Sequence, residues 1–355
     1  KFMSNDLILS ILLLSIFTSI AVNGILRGIA KKNKILIDLP DRSRKFHKRP
    51  TPLTGGLGIF ISIILSSKIY IDLNNLNEYI PIFSQSIIYV SFALLIVFLF
   101  DDLKELRYTY RLLFQALASL VIILITDVQI TTFGNLLGFG SFELGIFSIP
   151  VTIFCVVGVM NAFNMIDGIN GLCAGFALLM LLFSGFYSGF IYDSLLIFVI
   201  GSILGFLVYN LRIIGKKRAV FLGDSGSNIL GFIVGWVAIY CSQNQLYDVN
   251  AITMVWFIAI PLLDCIGLII SRTLRNISWA APGRDHIHHK LMLKFSPENS
   301  LLILILFSSL ISIFAIYLQE NFNESLSFYL FALFALSYYL IFHFYIKPKT
   351  SNETI

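Results

Sequence analysis

The chain has 355 residues, 57% of them hydrophobic and only 13% charged, with 33 Phe spread from end to end. Soluble domains carry about 25% charged residues, whereas the mean hydropathy here is +0.86. A water-soluble domain of this size would expose far too much apolar surface, so the composition excludes that class and predicts a polytopic membrane protein.

At roughly 20 residues per span, eleven apolar helices are expected, near 7–27, 53–71, 80–100, 111–130, 146–163, 172–191, 195–211, 227–243, 251–271, 300–318 and 326–346. All are too long for strands, and none alternates as the strand of a membrane barrel does. The first is expected to be a retained anchor and not a cleaved signal. Lys1 precedes it, no small-residue cleavage site follows, and the chain runs straight into a basic loop. No stretch outside the spans is long enough for a second domain, and no long repeat is present. Residues 1–355 are therefore expected to form one all-α bundle. Cys155, Cys173, Cys241 and Cys265 lie in or beside spans without ligand spacing, which argues against a disulfide framework or a zinc site.

The net charge of +5 matters less than where the basic residues fall. The loop 27–52 holds nine of them: Arg27, Lys31, Lys32, Lys34, Arg42, Arg44, Lys45, Lys48 and Arg49. Further groups are Lys104, Arg107 and Arg111; Arg212, Lys216, Lys217 and Arg218; Arg272, Arg275, Arg284, Lys290 and Lys294; and Lys347 with Lys349. If the spans alternate, 23 of the 25 Lys and Arg share one side, and the opposite loops contain none. Cytoplasmic Lys and Arg set topology, which places the N-terminus outside and the C-terminus inside. The cytoplasmic loops then lie near 28–52, 101–110, 161–171, 212–226 and 272–298.

Every costly polar cluster falls at a cytoplasmic span end. The third span runs into Asp101-Asp102, two adjacent carboxylates that need a cation, a metal or water nearby unless they are simply solvated loop acids. The fifth span ends in Asn161, Asn164, Asp167 and Asn170, which recur every three residues and so line one helical face before Gly168 and Gly171 break it. That stripe is either a helix-end cap or a face turned to a ligand or cavity. Asp224-Ser225-Gly226-Ser227 starts the eighth span; it is either an ordinary helix start or a phosphate-favouring N-terminus with Asp224 as a cation ligand. In GRDHIHH, three of the five histidines, His286, His288 and His289, follow Arg284. A basic, hydrogen-bond-donating anion clamp fits them better than a zinc site, which lacks matching Cys, and a plain surface loop is the third reading. Asp264, inside the ninth span, reads first as an internally paired structural acid and second as a catalyst. His47 and TPLTGGLGIF form a Gly-rich start to the second span. Carboxylates for a hard cation beside Arg, Lys and His donors suit phosphoryl transfer, and at a membrane surface the natural acceptor is a lipid phosphate.

The set Asp101-Asp102, NAFNMIDGINGL (161–172), FLGDSGS (221–227) and GRDHIHH (283–289) resembles the polyprenyl-phosphate N-acetylhexosamine-1-phosphate transferases. It is most similar to the bacterial enzymes that load GlcNAc-1-phosphate onto undecaprenyl phosphate to start O-antigen or teichoic-acid synthesis. The resemblance implies a Mg²⁺-dependent site (Mn²⁺ being the alternative ion) on the cytoplasmic face of the bacterial inner membrane. There a UDP-N-acetylhexosamine meets undecaprenyl phosphate and UMP leaves. It implies Asn164 and Asp224 as metal ligands, Asp101 and Asp102 as the catalytic acidic pair near the lipid phosphate, one of them removing any residual proton or positioning the acceptor through water, and Asp167 as a catalytic residue of the nucleotide-sugar site. Arg284, His286, His288 and His289 would grip the diphosphate, Arg111 would meet the carrier phosphate, and Asn161 and Asn170 would bind substrate. Asn170 departs from the family, where many relatives carry a second aspartate. Direct attack by the lipid phosphate is the expected route, with an aspartyl phosphate as its rival. Membrane lipids are further partners, a homodimer is compatible, and nucleic acid is not expected. A transporter or flippase is the rival class, but it calls for ionisable groups near the midplane and matched interrupted halves, which the sequence lacks.

Overall fold

The structure, a computed structural model, describes residues 5–40, 49–74, 81–189, 194–278 and 283–345. His47 lies outside these residues. The chain folds into helices α1 (Asn5–Asn33), α2 (Gly55–Asn74), α3 (Ile82–Lys104), α4 (Tyr108–Thr126), α5 (Ser148–Ile166), α6 (Leu172–Ser188), α7 (Ser194–Asn210), α8 (Gly223–Gln243), α9 (Ala251–Phe257), α10 (Ala259–Leu274), α11 (Ile287–Leu291), α12 (Pro297–Asn321) and α13 (Glu324–Tyr339). A two-stranded antiparallel ribbon of β1 (Ile37–Asp38) and β2 (Thr51–Pro52) precedes α2.

Each of the eleven expected apolar segments overlaps helix, but not all qualify as spans. Among the described residues, eight helices are long and apolar enough to cross a membrane. They are α1 to α5, α8, α12 and α13. Helices α6 and α7 have 17 residues each, about 25 Å, against a hydrocarbon core of roughly 30 Å. The expected segment 251–271 is two helices, α9 and α10, bent by 81°; counted together they make a ninth span. Pro261 explains the break. It has no N–H to give the Phe257 carbonyl four residues back, and its ring crowds that carbonyl.

The core is built around α8. Of its most apolar 18-residue window 89% is buried, against 22% for α4 and 17% for α13, so α8 is the central helix and those two are peripheral. It packs on α2, α3, α5, α6 and α9, while α1 packs on α2 and α7. Lipid tails are as apolar as leucine, so helices in a membrane associate through close packing and interhelical hydrogen bonds more than through the hydrophobic effect. The α1–α7 contact uses both. A Cβ on Gly201 would lie 2.5 Å from the Ser15 Cβ, and one on Gly205 2.5 Å from the Ser19 Cβ. The Ser19 hydroxyl donates to the Ser202 carbonyl across the interface at 2.7 Å. Large apolar side chains such as Phe17, Leu124, Phe154 and Leu310 point outward, where lipid would cover them.

Gly205→Ala is expected to destabilise the protein by about 1–3 kcal/mol, because its Cβ overpacks against Ser19 and the Ile16 carbonyl. Gly28→Ala on α1 meets nothing within 4 Å and is expected to cost nothing. Thermal unfolding of both variants in detergent checks the pair, and equal melting temperatures would dismiss the close-packing account.

Candidate active site

The site begins with how the N-terminus of α8 is held. The Phe221 amide donates to the Pro52 carbonyl at 2.8 Å, and the Gly55 and Gly56 amides donate to the Phe221 and Leu222 carbonyls at 2.9 Å each. Gly56 is obligatory there, since a Cβ would lie 2.3 Å from the Gly226 nitrogen. The first amides of a helix have no partner within it, and the residue before α8 is Leu222, which has no side chain to cap them. Asp102, on the last turn of α3, does so from a distance. Its carboxylate accepts from the Asp224 amide at 2.7 Å and the Ser225 amide at 3.2 Å. A negative charge at the positive end of the helix dipole is stabilising as well.

Its neighbour Asp101 is buried and accepts from the Leu106 amide at 2.6 Å. Arg111 lies between two acids, with Nε 2.8 Å from Asp101 and Nη1 3.1 Å from Asp224. The adjacent carboxylates are thus compensated by backbone amides on one side and a guanidinium on the other.

The amide stripe of α5 divides between two tasks. The Asn164 amide donates to Asp224 Oδ1 at 3.1 Å and to the Ser227 hydroxyl at 2.9 Å. Asn161 faces away, donating to the Gln115 side-chain oxygen at 2.8 Å; Gln115 donates in turn to Asn228 at 2.7 Å, and Asn228 to the Asp224 carbonyl at 2.8 Å. The helix ends at Ile166. Beyond it Gly171, at φ +82°, turns the chain into α6 and donates to the Asn210 side chain at 2.5 Å.

These elements enclose a cavity of about 610 Å³. Of the twelve site residues expected from the sequence, seven line it: Asp101, Asp102, Asn164, Asp167, Asn170, Asp224 and His289. Arg111, Asn161, Arg284, His286 and His288 do not. Arg111 reaches the site through its two ion pairs, and Asn161 through the Gln115–Asn228 relay. Arg284 is exposed. His286 is bound to Asp264, its Nδ1 2.8 Å from the carboxylate. His288 is 1% exposed, and neither ring nitrogen has a hydrogen-bond partner. It presses on Gly168, where a Cβ would lie 2.0 Å from its Nε2.

Charge in the histidine loop differs from the basic clamp expected. Burial, helped by repulsion from His286 and Arg284, pushes the His289 imidazole down to about 4. Burial, then His289 and His286, hold His288 well below the usual histidine range. Both rings are neutral near pH 7. Burial opposes the charge on Asp285 too, but Arg272 at 2.7 Å outweighs it and holds the carboxyl below its usual range.

Sequence reasoning missed Arg212, counted only as a topological charge. It lines the cavity in the left-handed region, at φ +62°, and its Nε is buried without a hydrogen-bond partner. Nothing in its basic loop sets it apart. Gln115 and Asn228 were also missed, although amides in an apolar span are a usable signal.

Asp167 is exposed onto the cavity, whose walls stand around its carboxyl. That enclosure pushes its carboxyl up to about 7, with Asp224 and then Asp102 adding repulsion. A surplus of acids that repel each other is a cavity that favours a cation. Among the described residues no group of three or more His, Cys, Asp or Glu is arranged to hold a metal alone. Asp224 beside Asn164 instead offers one carboxylate and one amide oxygen. This suits Mg²⁺, which keeps waters and shares substrate phosphates.

A multi-pass helical bundle with an acid- and amide-lined cavity at its helix ends is the architecture of a membrane-embedded transferase. The family model for glycosyl transferase family 4 matches residues 84–242, the stretch from α3 to α8 that carries Asp101, Asn164 and Asp224. The chain is 31% identical over 323 residues to the undecaprenyl-phosphate alpha-N-acetylglucosaminyl 1-phosphate transferase of Yersinia pestis, covering 88% of this chain and 85% of the relative. It is 32% identical over 270 residues to the enzyme of that name from Salmonella typhi, covering 74% and 72%. The chain belongs to glycosyl transferase family 4.

Because the Asp167 carboxyl titrates above its ordinary value of 3.8 when folded, its share of stability is complete below about pH 4 and is lost as pH rises through about 7. The melting temperature of Asp167→Asn minus that of the native chain, without divalent ions, is expected to grow between those limits. A flat difference would show an unperturbed carboxyl.

Proposed function

We propose that this chain transfers GlcNAc-1-phosphate from UDP-GlcNAc to undecaprenyl phosphate, releasing UMP, as the initiating step of a cell-envelope polysaccharide. The reaction takes place on the cytoplasmic face of the bacterial inner membrane, in a bundle with the N-terminus outside, where α6 and α7, at the short end of the spanning range, bring the nine candidate spans to eleven. The relatives' names supply the substrates, and the one-sided basic residues support the topology. The observation that carries the reading is Asp224, its side chain 38% exposed toward the cavity, held between Arg111 and Asn164.

A lipid phosphate monoester has its second pKa at about 6, so most of it is already a dianion at cytoplasmic pH. Its oxygen attacks the phosphorus that bears the sugar, and the bond to UMP breaks. The acceptor needs little help from a base. This accords with Asp101 and Asp102, whose carboxylates are engaged by Leu106, Arg111 and the α8 amides. Their work is to fix Arg111 and Asp224. The protein's larger task is to bring two anions together. Arg212 is the cavity-lining guanidinium without an ion pair among the described residues, so it is the cation left to meet phosphate. His289 donates to the diphosphate as a neutral ring, and Asp167 and Asn170 contact the nucleotide sugar. Mg²⁺, or Mn²⁺ in its place, would be held by Asp224 and Asn164 and would neutralise charge on the phosphates.

Purified protein given a panel of UDP-sugars, undecaprenyl phosphate and Mg²⁺ is expected to release UMP fastest from UDP-GlcNAc and to stop on chelation. Asp224→Asn is expected to lose at least about 100-fold in kcat at an unchanged melting temperature. UMP release without lipid phosphate, or a fully active Asp224→Asn, would overturn the assignment. Labelled protein trapped with donor alone would replace direct attack by the two-step route.

A further inference from the structure

Asp264 sits within α10, 1% exposed, and three donors converge on it. The Ile287 amide donates to its Oδ1 at 2.9 Å, His286 Nδ1 lies 2.8 Å from its Oδ2, and the Tyr338 hydroxyl approaches at 3.5 Å. The first two belong to the histidine loop and the third to α13. All three lie beyond residue 242, where the family match ends.

A buried carboxylate is costly unless it is well bonded, so it holds its donors firmly. Here it holds the start of α11 by the Ile287 amide and the orientation of the His286 ring. A carboxylate only accepts, so Nδ1 carries the hydrogen and Nε2 is left as the other face of the ring. His286 lies against the rest of the motif, its centroid 5.4 Å from His288 and nearly parallel to it, and 6.3 Å from His289 at a steep angle. His289 is the member that lines the cavity. Two contacts from one acid therefore reach the substrate-facing imidazole through its neighbour.

We infer that Asp264 is a positioning residue for the nucleotide-sugar half of the site, fixing the tautomer and orientation of His286 and, through it, the place of His289. This rests on the proposed reaction, in which the loop grips the donor's diphosphate. Asp264→Asn isolates the point. Its side-chain oxygen still accepts from Ile287, but its NH₂ faces His286 and forces the hydrogen onto Nε2, while shape and volume are kept.

The test is a double-mutant cycle of Asp264→Asn and His286→Ala in the full-length protein, read by UMP release and by calorimetric binding of UDP. Asp264→Asn is expected to raise KM for UDP-GlcNAc and Kd for UDP by about 10- to 100-fold, leaving KM for undecaprenyl phosphate and the melting temperature unchanged. In the His286→Ala background it is expected to add less than about threefold. Effects that multiply would show that Asp264 does not act through His286. Both KM values and the melting temperature moving together would reduce it to a structural acid, and wild-type KM in Asp264→Asn would deny it any role. If the native chain releases no UMP from any UDP-sugar, the proposed function fails on its own, and UDP binding still decides the role of Asp264.

Discussion

One carboxylate joins two helices at the point on which the site depends. Asp102 closes α3 and caps α8, taking the amides of Asp224 and Ser225 that the helix cannot satisfy itself. α8 is central and its first turn faces an open cavity, so those amides would otherwise need water or ligand. Hydrogen bonding and the helix dipole act in one direction here, and they offset burial and the repulsion from Asp224. The contact places Asp224 relative to α3, and the placement of Arg111, Asn164 and Asn228 follows from Asp224.

The cavity is consequently a balance of charges more than a collection of independent catalysts. Arg111 is shared by Asp101 and Asp224, so its positive charge is largely used before any substrate arrives. Asp167 feels Asp224 and Asp102 across open space. Among the described residues, the one imidazole that lines the cavity, His289, contributes hydrogen-bonding capacity and little charge. In the proposed reaction an anionic substrate therefore depends on Arg212 and on whatever cation the acids attract.

Much of this was legible in the residues. The apolar runs marked the helices, and each costly polar cluster marked a helix end that meets the cavity or its supports. Gly171, at φ +82°, turned the chain into α6 as its backbone freedom suggests, whereas Gly168 leaves room for His288. What failed has physical causes. The threefold spacing of Asn161, Asn164, Asp167 and Asn170 holds only while the helix lasts, so Asp167 and Asn170 reach the cavity by a turn, and Asn161 serves a relay toward α4. Which histidine of a loop faces a cavity depends on a partner in another helix, Asp264, that no local pattern reveals. The α9–α10 break had a signal in Pro261, and the α1–α7 contact had one in Gly201 and Gly205, four residues apart.

The pairing of residues 52–56 with 221–222 runs entirely through main-chain atoms. Those bonds ask nothing of the side chain at 221, although Leu222 beside it is buried, whereas residues 55 and 56 must both stay glycine for the segments to come so near. The two sides of one seam thus have unequal freedom to drift: position 221 accepts a wider alphabet, positions 55 and 56 a single letter. A lineage can therefore vary the cavity wall at 221 and leave the position of Asp224 untouched.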